Sequence, residues 1–326
     1  MKPDVSVVIP LYNKEKYIRR SIGSVLRQTA GNFEIIIVDS SDDGSTDIVD
    51  QIGDPRIIHI IRDRTRAARA RNIGVQIAKS DLIAFLDADD EWLPDHLEAL
   101  QKIRKKFPDA GLYLTSYVKL TDTLEAFPML FIGIPPPPWE GYLPHYIRIC
   151  SRGDEPASSS SAAVTKEVFE SVGGFREDLE YGEDQFLWGK ISLSFPVAYS
   201  WCGLALYHTE AEGRLCNEMH RISEHPFATY LRQRLENNTI PPEIRKDCQS
   251  YIRRKRYSVI WGAFLMGSTE NNSGTLSGTA GNSLRKKIRG MISRGYHSSV
   301  QTTGRRILGR VYGCHMQGYG SSKNKK

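Results

Sequence analysis

Apolar runs that end at polar residues alternate with segments of helical periodicity in the first part of the chain. Four runs predict buried strands, at residues 5–10, 33–39, 57–61 and 82–86. Between the first two runs, Ile18, Ile22 and Val25 recur at helical spacing. Strands that alternate with helices form βαβ units, so we expect an α/β fold with a mostly parallel, twisted sheet and helices on both faces.

The fourth run ends in a cluster of carboxylates, formed by Asp87, Asp89, Asp90 and Glu91. Neighbouring carboxylates repel each other unless a cation or hydrogen-bond donors compensate their charge. Oxygen ligands suit a hard divalent ion, Mg²⁺ or Mn²⁺, which binds phosphate oxygens in turn. We expect Asp90 to cap a helix that follows directly, which leaves Asp87 and Asp89 for a ligand.

Polar residues also follow the first two strands. Tyr12 lies after the first and is able to stack on a nucleobase, and Asp39 ends the second and is able to accept from a base or ribose. Packing and turn formation are the structural alternatives for these two residues. No glycine-rich phosphate loop follows the first strand, which argues against a dehydrogenase or an NTPase.

Taken together, the motifs of the chain resemble those of family 2 glycosyltransferases with the GT-A fold. The motifs are VVIPLYN at residues 7–13, VD at 38–39, DGSTD at 43–47, ARNIG at 70–74, FLDADD at 85–90, GGF at 173–175 and ED at 183–184. The resemblance covers roughly residues 3–210 and leaves out the C-terminal tail.

The resemblance implies an inverting enzyme that moves a sugar from a nucleoside-diphosphate sugar, with UDP favoured, to a hydroxyl of a glycan or lipid-linked acceptor. The alternative is a catalytically inactive relative that binds a nucleotide or a glycan, against which the presence of Asp87, Asp89 and Asp184 argues. It implies a divalent metal, Mn²⁺ or Mg²⁺, held by Asp89 and Asp87, with His208 as a further candidate ligand and Arg214 as a candidate for the phosphate. For the donor it implies these residues: Pro10, Tyr12, Asn13, Asp39, Asp43, Arg66, Arg71, Asp87 and Ala88. Of the arginines in the segment 62–71, one is expected to touch the diphosphate and the others to be solvated.

The chain departs from the family pattern in one place. Members usually have two adjacent acids directly before Gly-Ser; Asp42 and Asp43 have that position here, but Ser40 and Ser41 separate them from Asp39 at the strand end. Either Asp39 keeps the base-binding position at the strand end, or an insertion moves it to Asp42 or Asp43. We favour Asp39, because the end of the strand fixes its position, and hold Asp43 as the alternative.

A second chemical centre is expected at Glu183 and Asp184, which open a predicted helix. The helix dipole stabilises an ionised carboxylate there, and Glu183 next to Asp184 would raise one of the two pKa values. By the resemblance, Asp184 is the general base that takes a proton from the acceptor hydroxyl, in a single displacement that inverts the anomeric carbon. Plain helix capping by Asp184 is the structural alternative. The resemblance also places the serine-rich segment 157–164 near the acceptor, with its hydroxyls lining a sugar pocket.

Charge divides the chain into two parts. Residues 245–326 carry 17 Lys and Arg against 2 Asp and Glu, a net of +15, which leaves residues 1–244 at −9 within the whole-chain +6. We therefore expect a catalytic domain over residues 1–220 and a helical basic region over 221–326, with a flexible loop at 267–281 and a polar tail. The basic run 253–256 predicts a helix face that contacts anionic lipid, a solvated extension being the equal alternative and nucleic acid a weaker one.

Composition adds an expectation about location. The five cysteines form no CxxC pair, which favours a reducing compartment over a disulfide framework. The longest apolar stretch of the C-terminal half is too short to cross a bilayer, and the N-terminus does not have the pattern of a signal peptide. We expect a cytoplasmic enzyme, either free or peripheral on the inner face of the membrane. The chain lacks the Gln-x-x-Arg-Trp motif that is usual in the family's processive polymerases, so we expect transfer of single sugars.

Overall fold

The computed structural model describes residues 2–121, 126–129, 131–212 and 224–270, with the helix path alone for 258–270. The strands are β1 (Val5–Leu11), β2 (Phe33–Asp39), β3 (Ile57–Ile61), β4 (Leu82–Phe85), β5 (Glu91–Trp92), β6 (Leu112–Leu120), β7 (Ala126–Pro128), β8 (Glu140–Tyr142), β9 (Ala162–Thr165) and β10 (Val197–His208). The helices are α1 (Ile18–Leu26), α2 (Ser45–Ile52), α3 (Ala67–Ile77), α4 (His96–Lys106), α5 (Tyr146–Arg152), α6 (Lys166–Ser171), α7 (Glu183–Ser192), α8 (Pro226–Glu236) and α9 (Arg245–Glu270), with 3-10 turns at Ser159–Ser161 and Pro242–Ile244.

The described strands join one ten-stranded sheet in the order β3-β2-β1-β4-β9-β6-β10-β5, with β7 beside β6 and β8 beside β10. Strands β3, β2, β1 and β4 run parallel, as the βαβ pattern predicts. Strand β9 is antiparallel to both of its neighbours, β4 and β6. The α/β fold is confirmed: the sheet combines long parallel pairings with short antiparallel ones at β5, β7, β8 and β9.

The register of the central strands brings the predicted site residues to one edge. Strand β1 lies between β2 and β4, with Leu11 opposite Asp39 and Val8 opposite Phe85. These three strands are buried on both faces, which explains their nearly continuous apolar sequences. Since parallel strands end at the same edge, the loops that follow β1, β2 and β4 meet there.

Helix α3 packs unusually close to β1, and a glycine makes this possible. A Cβ atom at Gly74 would lie 2.3 Å from Cγ1 of Val8, which no side chain tolerates. The close approach fixes α3 against the sheet and holds its first turns, which carry Arg71, near the edge where the strands end.

Helices α8 and α9 share the main hydrophobic core with the sheet domain. Phe227, Leu231 and Tyr251 are buried in that core, and α9 packs against α5. Among the described residues, the hydrophobic core therefore continues across the domain boundary that was predicted at residue 220. A separate C-terminal unit stays a prediction.

The basic run at 253–256 does not form one exposed face, which corrects the expectation from sequence. Arg254 donates to the main-chain oxygen atoms of Cys150 and Gly153, and Lys255 pairs with Glu155 at 2.6 Å, whereas Arg253 and Arg256 are exposed. Consecutive residues point in different directions around a helix, so a run of four cations cannot share one face.

The C-terminal helix also extends further than predicted. Helix α9 continues to Glu270, so the first residues of the predicted loop at 267–281 are helical. The remainder of that loop and the polar tail lie outside the described residues, as does Arg214. Among the described helices, none combines the length and the apolar character needed to cross a bilayer.

Candidate active site

The acid loop, residues 86–90, follows β4 and is held by hydrogen bonds to Ser160. The main-chain N–H of Asp87 donates to the hydroxyl of Ser160 at 3.1 Å, and that hydroxyl donates to Oδ2 of Asp90 at 2.6 Å. Asp90 also accepts from the main-chain N–H of His208 at 3.1 Å and is fully buried. The prediction that Asp90 caps a helix is wrong: α4 begins only at His96, and Asp90 instead ties the acid loop to two other segments.

The serine-rich segment supports the acid loop instead of lining a sugar pocket. Ser158, Ser159, Ser160 and Ser161 are all buried, and Ser158 and Ser161 bond each other in a capping box. The expectation that these hydroxyls face an acceptor is therefore corrected for Ser158, Ser160 and Ser161, whose hydroxyl groups form hydrogen bonds within the protein.

Asp89 is paired with a cation of the loop that follows β1. Oδ2 of Asp89 lies 3.1 Å from Nζ of Lys14, and the main-chain oxygen of Asp89 accepts from Arg20 at 2.5 Å. The Asp89 residue is 7% exposed. The Lys14 ammonium also donates to the main-chain oxygen of Glu212 at 2.6 Å.

Arg71 of α3 joins the acid loop to the start of α7. Its Nη2 donates to Oδ1 of Asp87 at 2.7 Å, and its Nη1 donates to Oε1 of Glu183 at 2.8 Å. Burial opposes its charge, yet the two carboxylates raise the pKa of the Arg71 guanidinium above its ordinary value. Both terminal nitrogens are engaged, so a diphosphate contact by Arg71, which stays a prediction, requires it to release a carboxylate. Arg66 and Arg69 are exposed near the beginning of the same helix.

Asp184 lies in the first turn of α7, beside Glu183. Gly182 starts the helix with φ of 67°, a left-handed conformation that suits glycine. Oδ1 of Asp184 accepts from the main-chain N–H of Gln185 at 2.7 Å. Burial and the neighbouring Glu183 raise the pKa of Asp184 to about 7, against the opposing effect of Arg71. A carboxyl that titrates near neutrality is suited to take up a proton at physiological pH.

The loops after β1 and β2 are bonded to each other through Asn13. Its side-chain amide donates to Asp42 at 2.5 Å and accepts from the main-chain N–H of Asp42 at 2.9 Å. Pro10 is half-buried before this loop, and Tyr12 is 44% exposed, so its ring is available for a ligand.

The three acids of the β2 loop have different environments. Asp39 is fully buried, and its oxygens accept from Ser41 N–H at 2.8 Å and Thr46 Oγ1 at 2.7 Å. Burial opposes its charge, but these bonds and one from His59 hold the pKa of Asp39 below its ordinary value. Asp43 accepts from the main-chain N–H groups of residues 15 and 45, while Asp42 is exposed. Which of the three acids binds the base stays a prediction.

His208 has both ring nitrogens directed at carboxylates. Nδ1 lies 2.8 Å from Glu210 and Nε2 lies 3.2 Å from Glu91, and the residue is 1% exposed. Metal ligation by His208 stays a prediction and would require one of these contacts to break.

The acid loop fits a divalent ion better than His208 does. Asp87 and Asp89 offer hard oxygen atoms, and Mg²⁺ or Mn²⁺ is often held by one or two carboxylates that are completed by substrate phosphates. In the part of the chain that the structure describes, no group of three or more His, Cys, Asp or Glu side chains is arranged around a metal position. A metal bound here would therefore take its remaining ligands from a diphosphate or water. Ala88, between the two acids, is buried.

Sequence reasoning did not single out Lys14, and it placed Ser160 near the acceptor rather than against the acid loop. Lys14 directly follows the motif at residues 7–13, so its position was a usable signal. The pairing of Ser160 with Asp90 joins residues that are 70 positions apart, which no local pattern reveals.

Comparison with known proteins agrees with this fold. The family model described as "Glycosyl transferase family 2" matches residues 6–173, just over half of the chain. An uncharacterized glycosyltransferase of Rickettsia felis is 33% identical over 197 residues, which cover 58% of this chain and 30% of that protein. The chain thus spans less than a third of the length of that relative.

Two further proteins carry informative names. Escherichia coli WfaP, named a UDP-Glc:alpha-D-GlcNAc-diphosphoundecaprenol beta-1,3-glucosyltransferase, is 47% identical over 91 residues, covering 27% of this chain and 36% of WfaP. The mannosyltransferase PcManGT from Pyrobaculum calidifontis, solved with GDP-Man and Mn²⁺, matches with a TM-score of 0.60 and 16% identity over 97% of this chain and 88% of its own. The structural match shows a shared GT-A fold. On the match of the family model, the chain belongs to glycosyl transferase family 2.

Proposed function

We propose that the protein is an inverting, metal-dependent hexosyltransferase. It moves one sugar from a nucleoside-diphosphate sugar, with UDP favoured, to a hydroxyl of a glycan or lipid-linked acceptor. The observation that carries the proposal is the position of Asp184, a carboxyl with a pKa raised to about 7 that Glu183, Arg71 and Asp87 connect to the acid loop. A general base has to titrate near the working pH and lie beside the donor.

We assign the donor nucleotide to the edge where β1, β2 and β4 end. Tyr12 offers an exposed ring for the base, and the loop held by Asn13 carries the acids that would accept from base or ribose. Asp87 and Asp89 would hold the divalent ion, which when bound offsets the charge that develops on the departing diphosphate. The name of WfaP supports a UDP-sugar and a lipid-diphosphate acceptor, and the Mn²⁺ bound with GDP-Man in PcManGT supports a divalent metal.

The reaction is a single displacement. The acceptor oxygen forms a bond to the anomeric carbon while the bond from that carbon to the diphosphate breaks on the opposite face, and the electron pair leaves with the diphosphate. Asp184 takes the hydroxyl proton during the attack. Glu183 holds Arg71, whose positive charge counteracts the rise in the pKa of Asp184 and keeps a fraction of this carboxyl ionised.

The first test is calorimetric titration with UDP and with GDP, in the presence of Mn²⁺ and then of a chelator. We expect binding of one nucleotide that needs both the metal and Asp89, so that Asp89→Ala abolishes it. Asp109→Ala, which removes an exposed carboxylate between α4 and β6, serves as the matched control and keeps wild-type binding. Metal-dependent binding that survives in Asp89→Ala would remove the acid loop from the donor site.

The second test addresses the base and the product. With the bound nucleotide known, sugars carried on it are screened against lipid-diphosphate acceptors. We expect Asp184→Asn to lose transfer by a factor of about 10²–10⁴ while it keeps nucleotide binding. Retained transfer in Asp184→Asn would contradict the proposed mechanism. Long polymer products from the purified enzyme would contradict transfer of a single sugar.

A further inference from the structure

The ammonium group of Lys14 is built into the acid loop. Its Nζ lies 3.1 Å from Oδ2 of Asp89, donates to the main-chain oxygen of Glu212 at 2.6 Å, and lies 5.9 Å from the centre of the Tyr17 ring. The side chains of Lys14 and Asp89 are 11% and 10% exposed. Glu212 and the Tyr17 ring therefore help to hold the positive charge of Lys14 beside the Asp89 carboxylate, which is largely removed from water.

The two acids of the loop use different cations of the protein. Asp87 is paired with Arg71, and Asp89 is paired with Lys14. A divalent ion that binds Oδ2 of Asp89 would meet the Lys14 charge at contact distance, where like charges repel strongly because little water screens them. The ammonium and the metal ion cannot both hold the same oxygen.

We propose that Lys14 competes with the divalent cation for Asp89, so that the metal enters the site by exchange with the Lys14 ammonium. The inference deepens the proposed function, since it rests on Asp89 as a metal ligand. Before the metal binds, Lys14 compensates the charge of Asp89. Because the metal has to displace the ammonium, Lys14 lowers the affinity of that carboxylate for the metal.

The test is a titration of the full chain with Mn²⁺ alone, in which electron paramagnetic resonance measures the free ion at low ionic strength. We expect Lys14→Met to bind Mn²⁺ more tightly than the wild type by on the order of tenfold. Lys16→Met is the matched control, because Lys16 lies in the same loop but is exposed and pairs with Glu212 at 2.9 Å. It removes the same charge without freeing Asp89, and we expect it to change the affinity by less than about twofold.

A double variant shows whether the gain passes through Asp89. We expect Lys14→Met combined with Asp89→Asn to lose the gained affinity. Affinity in Lys14→Met that equals or falls below the wild-type value overturns the proposal, as does an equal gain in Lys16→Met or a gain that persists in the double variant. Circular dichroism checks folding, and Lys14→Gln provides the same test should the methionine variant unfold.

The outcome for Lys14 can be separated from the outcome for the proposed function. Tighter Mn²⁺ binding in Lys14→Met, with no binding of UDP or GDP, supports the competition and removes the support for the proposed donor. Nucleotide binding in the absence of metal, with no Mn²⁺ bound by either the wild type or Lys14→Met, overturns the competition and leaves the nucleotide site in place.

Discussion

Replacing Asp184 with asparagine is expected to stabilise the fold at neutral and alkaline pH. Burial and Glu183 raise the pKa of Asp184 from 3.8 to about 7 in the folded protein. Between these two values the folded state holds a proton that the unfolded state has lost, so the contribution of Asp184 to stability falls as pH rises. The contribution is fully present below about pH 4 and is lost by about pH 7.

The size of this effect follows from the shift. At 1.36 kcal/mol for each pKa unit, the full shift corresponds to an upper bound of about 4 kcal/mol. The Asp184 side chain is only partly buried, so solvent screening reduces this bound and we expect about 1–3 kcal/mol. Asparagine has a similar shape and no charge to desolvate, so Asp184→Asn avoids this loss while keeping the packing.

Urea unfolding at pH 4.5, 6 and 8 measures the free energy of unfolding of the wild type and of Asp184→Asn. The variant is expected to gain stability relative to the wild type as pH rises, with most of the gain present at pH 8. Asp109→Asn, at an exposed position, controls for the loss of a carboxylate as such. A difference between Asp184→Asn and the wild type that is independent of pH, or that favours the wild type at pH 8, would refute the reasoning.

Three further changes test the contacts around the site. Arg71→Met leaves two carboxylates without their cation and is expected to cost about 3–5 kcal/mol in urea unfolding, because the arginine is buried; a loss below about 1 kcal/mol would show that the pairs are weak. Lys255→Met leaves Glu155 without its cation and is expected to lower the free energy of unfolding by about 1–2 kcal/mol, because each side chain is less than a fifth exposed. Adding Glu155→Gln is expected to restore this loss. Ser160→Ala removes the support of the acid loop and is expected to cost about 1–3 kcal/mol and to weaken metal-dependent nucleotide binding, measured by calorimetry.

The edge at which β1, β2 and β4 end was predictable because strand burial and chain direction are both local properties. Runs such as residues 33–39 are apolar because both faces of the sheet are covered, and the first polar residue after each run falls at the same edge. Asp39 and Asp87 could be placed there without knowledge of any contact. The alternation of strands and helices also fixed β1 to β4 as parallel neighbours in the correct part of the fold.

Contacts between distant segments were not predictable in the same way. Asp90 looked like a helix cap because a helix was expected to follow it directly, yet its partners come from residues 160 and 208. The basic run at 253–256 looked like a lipid-binding face because charge was counted along the chain. In the fold, Lys255 turns inward to Glu155, a pairing that depends on how α9 crosses α5.

The pattern of charge pairing also separates the roles of the two acids that open α7. Glu183 is paired with Arg71 at 2.8 Å, so its charge is compensated and its oxygen is engaged. Asp184 accepts a hydrogen bond from the main chain, and its pKa is raised to about 7, partly by the charge of Glu183 itself. A general base needs an accessible lone pair and a pKa near the working pH, which favours Asp184 over its neighbour. We therefore propose that Glu183 acts through Arg71 as a positioning residue. Glu183→Gln should therefore retain part of the transfer activity and shift its pH profile toward lower pH, because the charge that raises the pKa of Asp184 is removed. Asp184→Asn should instead lose transfer by a factor of about 10²–10⁴ at every pH.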